Sequence, residues 1–271
     1  MSGLGRGCGK RVAVPGDTGS VTAAAFGPML IVVCVVMAAV AAVIYRLAGL
    51  GKVWTVPVAA ARAAAQLAGI SAVLAAAMMR LWSSTLVLAV MFVVAVVTAA
   101  RRSQADHGAV WVAVPLGAGL AAVIPLLILT GLVPLNGAAL IPTAGIILGG
   151  TMTAVAVAAR RGLDTLTMRL GEVEAALSLG FTERDSRRLV IDRAIADALL
   201  PNVDQARTAG LVTLPGAFVG VLLATGSATQ AGAVQVLVLI GLLLAQACGV
   251  ALTGELVARG RISRRHDVIR H

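Results

Sequence analysis

The chain has 271 residues, of which 59% are hydrophobic and 13% are charged, and its formal net charge is +10. Soluble domains carry about 25% charged residues, so this composition is typical of a membrane protein. The positive charge does not indicate a nucleic-acid partner, because only 3% of the residues are aromatic and the arginines flank apolar segments. Cys8, Cys34 and Cys248 lack the spacing of a metal site or a disulfide framework.

The first 27 residues are rich in glycine and basic residues, and we predict a flexible N-terminal tail at 1–27. Gly7 to Lys10 is similar to part of a phosphate-binding loop. However, Leu4 stands where the first glycine of that loop belongs, and Arg11 replaces the Ser or Thr that binds magnesium. We therefore expect no ATPase site, no cofactor and no metal site in this chain.

Seven apolar segments follow, each near the length of about 20 residues that a membrane-spanning helix needs. They predict an all-α integral membrane protein with about seven transmembrane helices in a transmembrane domain at 28–258. A tight hairpin at Arg80 must join the second and third helices. The predicted helices are residues 28–45, 56–79, 81–100, 109–132, 138–159, 209–225 and 231–257.

The positions of lysine and arginine predict how these helices are oriented, because cytoplasmic loops are enriched in both. If the polar loop at 161–206 is cytoplasmic, 17 of the 22 basic residues lie on that side, including a basic tail at 259–271. The N-terminal tail then lies outside with three basic residues, in conflict with the rule. We predict a multi-pass protein of the inner or plasma membrane whose C-terminus is cytoplasmic.

The long polar loop carries eight of the 12 acidic residues of the chain. Within it, Leu170, Val173 and Leu177 fall on one side of a predicted helix and form a small apolar face that can press against a partner. Gly180 can adopt the left-handed conformation that ends a helix, and Thr182 can cap the next helix. A surface helix that ends in glycine explains the same features without a functional role.

Glu172 begins the segment Glu-Val-Glu-Ala-Ala-Leu-Ser-Leu-Gly, in which Glu174, Ala175 and Ala176 are followed after three residues by Gly180. This spacing resembles the EAA signature of ABC-transporter permeases. Further segments in the same order resemble the FetB-type permeases, a family of bacterial iron-export permeases and plant aluminium-tolerance permeases. These segments are Ala61-Arg62-Ala63-Ala64-Ala65-Gln66-Leu67, Ile141-Pro142-Thr143-Ala144-Gly145 and Leu214-Pro215-Gly216.

The resemblance implies that the 161–206 loop carries a cytoplasmic coupling helix that docks on a separate ATPase. The ATPase would bind ATP and magnesium, and this chain would be the membrane-spanning permease subunit, paired with a second copy of itself in the lipid bilayer. The implied function is export of a metal of the iron type or of a metal chelate. Two alternatives stay open: a permease for another small solute or anion, and a non-transport scaffold or sensor that recruits a soluble partner. An enzyme is not expected, because the three histidines lie outside the predicted helices.

Candidate pathway residues are polar side chains in the apolar helices. Arg62 and Gln66 lie four residues apart on one face of the second predicted helix, and a central arginine must face protein or water. Arg62 can therefore line the pathway, or it can snorkel from the start of the helix to the membrane surface. Thr143, Thr151 and Gln235 are the other candidates, and Gln235 and the Arg62–Gln66 pair match the family.

Small residues and prolines predict helix packing and gating. Gly145 and Gly149 form a small-xxx-small pattern that allows close helix contact, and Pro142 frees backbone groups near the start of the fifth helix. Pro215 and Gly216, within the predicted sixth helix, should kink or unwind it.

The chain also departs from the family, which has asparagine at the position of Gly150 and methionines at those of Ala217 and Phe218. Soft thioether ligands are therefore missing from the predicted sixth helix. No Asp or Glu lies in a predicted bilayer core, and Glu255, near the end of the last helix, is spaced to pair with Arg259. A chelated metal, an anion or an organic solute fits such a pathway better than a bare cation.

Overall fold

The computed structural model describes residues 28–77, 81–131 and 137–264. Within these ranges the chain forms α-helices joined by turns, with one short 3-10 helix at Ala109–Val112 and no β-strand. This confirms the prediction of an all-α protein. The helices are α1 (Pro28–Leu47), α2 (Thr55–Ala77), α3 (Leu81–Ser103), α4 (Ala113–Leu129), α5 (Gly137–Met168), α6 (Leu170–Ser178), α7 (Glu183–Ala196), α8 (Leu200–Thr208), α9 (Gly216–Thr225) and α10 (Ala228–Ala258).

The chain divides into two compact units, one ending at Ala75 and the other beginning at Ala76. The first unit contains α1 and nearly all of α2, and the second contains the other helices. The predicted N-terminal tail at 1–27, the predicted hairpin at Arg80 and residues 265–271 lie outside the described part of the chain.

Several helices are long and apolar enough to cross a membrane, so the chain is a multi-pass membrane protein. In the described ranges there are five such segments, and the predicted count of seven is not reproduced. The second predicted helix corresponds to α2, which has 23 residues. The five segments are Met29–Leu47, Trp82–Ser103, Ala109–Leu129, Ala139–Met168 and Ala228–Ala258.

The sixth predicted helix is shorter than its apolar run. We predicted 209–225, but α9 begins only at Gly216 and has 10 residues. Pro215 precedes it in an extended conformation with φ −64° and ψ 150°, and therefore marks the start of a helix instead of a kink inside one. Proline favours this place because it has no N–H to donate and its ring clashes with a preceding helical turn. At about 1.5 Å per residue, α9 is about 15 Å long, half the thickness of a bilayer core.

The fifth predicted helix extends further than its apolar run. We predicted its end at Ala159, but α5 continues to Met168 and has 32 residues, so it is about 48 Å long. In the added turns Leu163 and Leu166 are buried, while Arg160 forms an i,i+4 ion pair with Asp164. The extension is therefore amphipathic, and it supports α6 and α7 beyond the apolar part of the helix.

The core of the second unit lies where α4, α5 and α10 approach closely. A Cβ atom at Gly119 would lie 2.8 Å from the carbonyl oxygen of Ala245, and one at Gly249 would lie 3.0 Å from the Cγ2 atom of Thr151. Both distances are too short for ordinary contact. Glycine at these two positions therefore sets the separation of the three helices.

The chain after α10 folds back onto the loop between α3 and α4. Ser263 donates a backbone hydrogen bond of 3.2 Å to His107 and accepts one of 3.1 Å from it. Ile262 is completely buried between these elements. The first residues of the predicted basic tail at 259–271 thus belong to the packed unit.

Candidate functional site

The candidate coupling segment is helical over Leu170–Ser178 and ends as the sequence predicted. Gly180 has a φ of 90°, in the region that favours glycine. Its N–H donates to the carbonyl of Leu177 at 2.9 Å, and the N–H of Phe181 donates to the carbonyl of Ala176 at 3.2 Å. These two bonds form a Schellman motif, which satisfies carbonyls that would otherwise have no partner at the end of α6.

The start of α6 is stabilised by charge. Glu172 lies in the first turn, where a carboxylate interacts favourably with the positive end of the helix dipole. Its Oε1 atom also accepts a hydrogen bond of 2.6 Å from the Nε atom of Arg169. Both side chains are about half exposed, so the pair holds the helix start without being buried.

The apolar side of α6 packs against the protein itself, which corrects our prediction that it presses against a partner. Val173 is 1% exposed and Ala176 is 5% exposed, and both face the second unit. Leu177 is half-buried against the same core. The predicted apolar stripe exists, but it packs α6 against the core of its own chain.

The opposite side of α6 is the surface that a partner can reach. Glu174, Ala175 and Ser178 are exposed there. Beyond the helix end, Leu179 is 79% exposed and Phe181 is 50% exposed. The reachable surface thus combines the carboxylate and small side chains of α6 with two large apolar side chains just beyond its end.

A capped helix, α7, follows after a short turn. The Oγ1 atom of Thr182 accepts a hydrogen bond from the backbone N–H of Asp185 at 3.2 Å, as the capping pattern predicted. Val190, Ile191 and Ile195 are buried between α7 and the core of the second unit, where α5 and α10 lie. The coupling segment and α7 therefore form one mounted helical pair.

An ionic cluster joins α7 to the end of α10. Glu255 accepts hydrogen bonds from Arg184, Arg188 and Arg259, with donor–acceptor distances of 2.6 to 2.8 Å. The carboxylate of Glu255 raises the pKa of the Arg184 guanidinium, chiefly by hydrogen bonding. The pairing of Glu255 with Arg259 was predicted from the sequence, but the two arginines of α7 were not.

Two predicted pathway residues lie in the first unit. Arg62 and Gln66 are one turn apart on α2, and both side chains are exposed. Their shared face is therefore reachable, as either a pathway role or an interfacial role requires.

The other predicted pathway residues lie in the second unit, and two of them are interior. Thr143 is partly buried and donates to the carbonyl of Ala139 at 2.8 Å, while Thr151 is fully buried and donates to that of Ile147 at 2.7 Å. Both hydroxyls satisfy their own helix. Gln235 is 7% exposed, and its Oε1 atom accepts a hydrogen bond from a backbone N–H of α9.

The start of α9 depends on a side chain from another helix. The backbone N–H of Phe218, in the first turn of α9, donates a hydrogen bond of 3.1 Å to the Oε1 atom of Gln235 on α10. Pro215, the N-cap residue, has no side-chain oxygen that can do so. Gln235 therefore positions α9.

The predicted packing residues of α5 differ in their surroundings. A Cβ atom at Gly145 would lie 3.0 Å from the Cε atom of Met91 on α3, so this glycine permits a close contact between helices. A Cβ atom at Gly149 would meet nothing within 4 Å, and Pro142 is exposed. Only Gly145 among these three is placed at a tight helix contact.

Gln246 is a buried polar residue whose surroundings the sequence did not reveal. It lies in the middle of α10 with no exposed surface, and among the described residues neither polar atom of its side-chain amide has a hydrogen-bond partner. A Cβ atom at Gly150 would lie 3.0 Å from its Nε2 atom. Glycine at position 150 thus leaves room for this amide between α5 and α10. The only sequence signal was a glutamine inside an apolar run.

These features define a multi-pass helical membrane protein. The loop between α5 and α9 is itself helical, and its helix α7 packs against α5 and α10. Residues 28–261 match the model of an uncharacterised protein family, UPF0014. The chain belongs to this family, which confirms the resemblance drawn from its motifs.

Three relatives show what the family includes. The chain is 33% identical over 184 residues to "UPF0014 membrane protein STAR2" of Oryza sativa subsp. japonica, covering 67% of this chain and 65% of that protein. It is 32% identical over 160 residues to "Protein ALUMINUM SENSITIVE 3" of Arabidopsis thaliana, covering 58% and 59%. It is 30% identical over 159 residues to "Probable iron export permease protein FetB" of Escherichia coli (strain K12), covering 59% and 61%.

The chain thus spans less than two thirds of the length of each of these curated relatives. No solved structure matches it.

Proposed function

We propose that this chain is the membrane-spanning permease subunit of an ABC transporter, driven by ATP hydrolysis in a separate ATPase subunit. The main support is the arrangement of α6, which is fixed to its own chain by Val173 and Ala176 and exposes Glu174 and Ala175 on its other side. Because its inner side is packed against the rest of the chain, α6 cannot move independently, and a force on its exposed side is passed on to the helices beneath it. One relative is named as a probable iron export permease, which agrees with this proposal.

The coupling surface in this proposal is the exposed side of α6 together with its C-terminal end. Glu172, Glu174 and Ala175 face the ATPase, Gly180 ends the helix in a fixed geometry, and Ala176 holds it against the bundle. This division of roles differs from that of a helix whose apolar face enters the partner.

We further propose that the cargo is metal of the iron type carried as a chelate. The candidate pathway groups that stay exposed are the Arg62 guanidinium and the Gln66 amide on α2, and a guanidinium attracts an anionic complex and repels a bare cation. Two copies of the chain would be needed to enclose a pathway, so we propose a homodimer in the lipid bilayer. Another small solute or anion fits the same groups, and the iron chelate is preferred because of the relative named above.

A copurification experiment tests the coupling surface. The tagged chain is extracted from its native membrane, and the bound fraction is assayed for a protein with a phosphate-binding loop and for ATP hydrolysis. Ala175→Arg should abolish both, because a long charged side chain would stand on the exposed side of α6. Ala196→Arg is the matched control, since Ala196 is an equally small, exposed residue on α7.

The two variants separate the possible outcomes. Loss of the ATPase with Ala175→Arg alone supports a specific coupling surface on α6. Equal retention of the ATPase by both variants contradicts that surface. Recruitment of a soluble partner without ATP hydrolysis would instead favour the scaffold or sensor function.

A further inference from the structure

Glu255 is the meeting point of two parts of the protein that are far apart in sequence. The Nε and Nη2 atoms of Arg184 donate to its two carboxylate oxygens at 2.7 and 2.8 Å. The Nη1 atom of Arg188 donates at 2.8 Å, and the Nε atom of Arg259 at 2.6 Å. Arg184 and Arg188 belong to α7, whereas Glu255 and Arg259 belong to the end of α10.

The geometry of this cluster fixes orientation as well as distance. Arg184 binds Glu255 through two parallel N–H donors, and such a fork resists rotation of one helix against the other. Val190, Ile191 and Ile195 already bury the apolar side of α7. Attachment of α7 therefore does not depend on the ionic cluster, but its angle relative to α10 does.

The cluster is also placed where it can rearrange. The side chain of Glu255 is 20% exposed and that of Arg184 is 43% exposed. Fully exposed ion pairs contribute little, and fully buried ones are costly to break. A partly exposed pair lies between these limits, so it stabilises the position of α7 but costs less to break than a fully buried pair.

A short path of contacts connects α6 with this cluster. α6 packs on α7, and only the turn at residues 179–182 separates the two helices. α7 in turn packs on α10 and is joined to it by Glu255. Movement imposed on the exposed side of α6 therefore has a route to α10 through α7, and the ionic junction at Glu255 is part of the contact between α7 and α10.

We propose that Glu255 is the positioning residue that transmits movement of the α6–α7 pair to the transmembrane helix α10. This inference rests on the proposed function, in which an ATPase moves α6. Glu255 touches no cargo and no nucleotide in this role. It sets the angle at which α7 engages α10, and so determines how much of each hydrolysis event becomes helix movement.

The test uses the complex of the full chain with its ATPase in lipid nanodiscs, with iron(III) citrate as the transport probe. Glu255→Gln keeps the shape of the side chain but removes its charge. ATP hydrolysis stimulated by the probe should fall by at least about tenfold, because the change replaces one of the two acceptor oxygens and removes the charge from all four hydrogen bonds. Basal hydrolysis and complex formation should stay unchanged, because the exposed side of α6 is intact.

Three further variants make the test specific. Arg184→Gln should give a similar loss, and the double variant with Glu255→Gln should be no worse than either single one, because both act through the same contact. Glu255→Asp keeps the charge and should restore part of the stimulation. Asp204→Asn is the control, since it breaks the exposed pair of Asp204 with Arg207 on α8.

The outcomes distinguish this inference from the proposed function. If the wild-type complex responds to the probe and Glu255→Gln responds equally, the role of Glu255 is refuted while the permease assignment stands. If the wild-type chain binds no ATPase, the proposed function itself fails. Additive losses in the double variant would also refute a shared junction. Arg184 lies on the surface, so Arg184→Gln still tests the junction if Glu255→Gln does not fold.

Discussion

Replacement of Gly180 by alanine tests how the end of α6 is held. The residue has a φ of 90°, and nothing lies within 4 Å of the position that a Cβ atom would take. The added methyl group therefore meets no neighbour, and the whole cost comes from the backbone conformation. For a residue with a side chain in the left-handed region this cost is about 1–2 kcal/mol.

The cost falls on the Schellman motif, because its two hydrogen bonds require the conformation of residue 180. A change of about 1.4 kcal/mol is a factor of ten in an equilibrium constant, so the folded cap of α6 should become about five- to thirtyfold less populated relative to frayed states. Amide hydrogen exchange of α6 in the purified chain measures this directly. The amides of Gly180 and Phe181 should exchange faster by that factor.

Gly171→Ala is the matched control because it should have the opposite sign. Gly171 lies inside α6, has no positive φ and likewise has open space at its Cβ position. Alanine favours a helix by about 1 kcal/mol over glycine, so this variant should slow exchange in α6. Equal exchange in the two variants, or slower exchange with Gly180→Ala, would refute the assignment of Gly180 as the residue that ends the helix.

Two further substitutions test the interior of the second unit by thermal unfolding in detergent. Gly119→Ala should destabilise the protein by about 1–3 kcal/mol, because its Cβ atom would lie 2.8 Å from the carbonyl oxygen of Ala245, whereas Gly232→Ala, with nothing within 4 Å, should not; equal midpoints would contradict the close packing. Gln246→Leu should leave the midpoint unchanged or raise it, because it removes a buried amide that has no partner among the described residues; a large loss of stability would show that the amide is satisfied by a group such as a buried water.

Local signals in the sequence predicted several elements well. The left-handed Gly180 and the cap of Thr182 on Asp185 are both present, because these features depend on residues a few positions apart. The long helices followed the apolar runs for the same reason. A feature that is stabilised by residues close in sequence can be predicted from the sequence alone.

Boundaries were wrong where tertiary contacts decide them. α5 passes its predicted end because Leu163 and Leu166 are buried by other helices, which hydropathy does not detect. The late start of α9 has a local cause instead: Pro215 begins the helix, although the residues before it are as apolar as those after it. A hydropathy pattern cannot distinguish a short helix from a long one when the flanking turns are also apolar.

For the candidate site, too, local features were predicted from the sequence and long-range contacts were not. The position of α6 was predicted, but the direction of its apolar face was not, because one sequence does not tell whether Val173 meets its own chain or a partner. The junction at Glu255 was predicted only in part. Arg259 lies four residues away, whereas Arg184 is separated by 71 residues and its contact depends on the fold.

In the proposed function, this chain forms an ATP-driven pathway together with a separate ATPase. The most direct measurement is uptake of radioactive iron(III) citrate into sealed proteoliposomes that contain the chain and its ATPase, with ATP on the side that the ATPase faces. We expect accumulation that requires ATP and is lost with Ala175→Arg but kept with Ala196→Arg. Accumulation that is equal with and without ATP, or equal in the two variants, would contradict it.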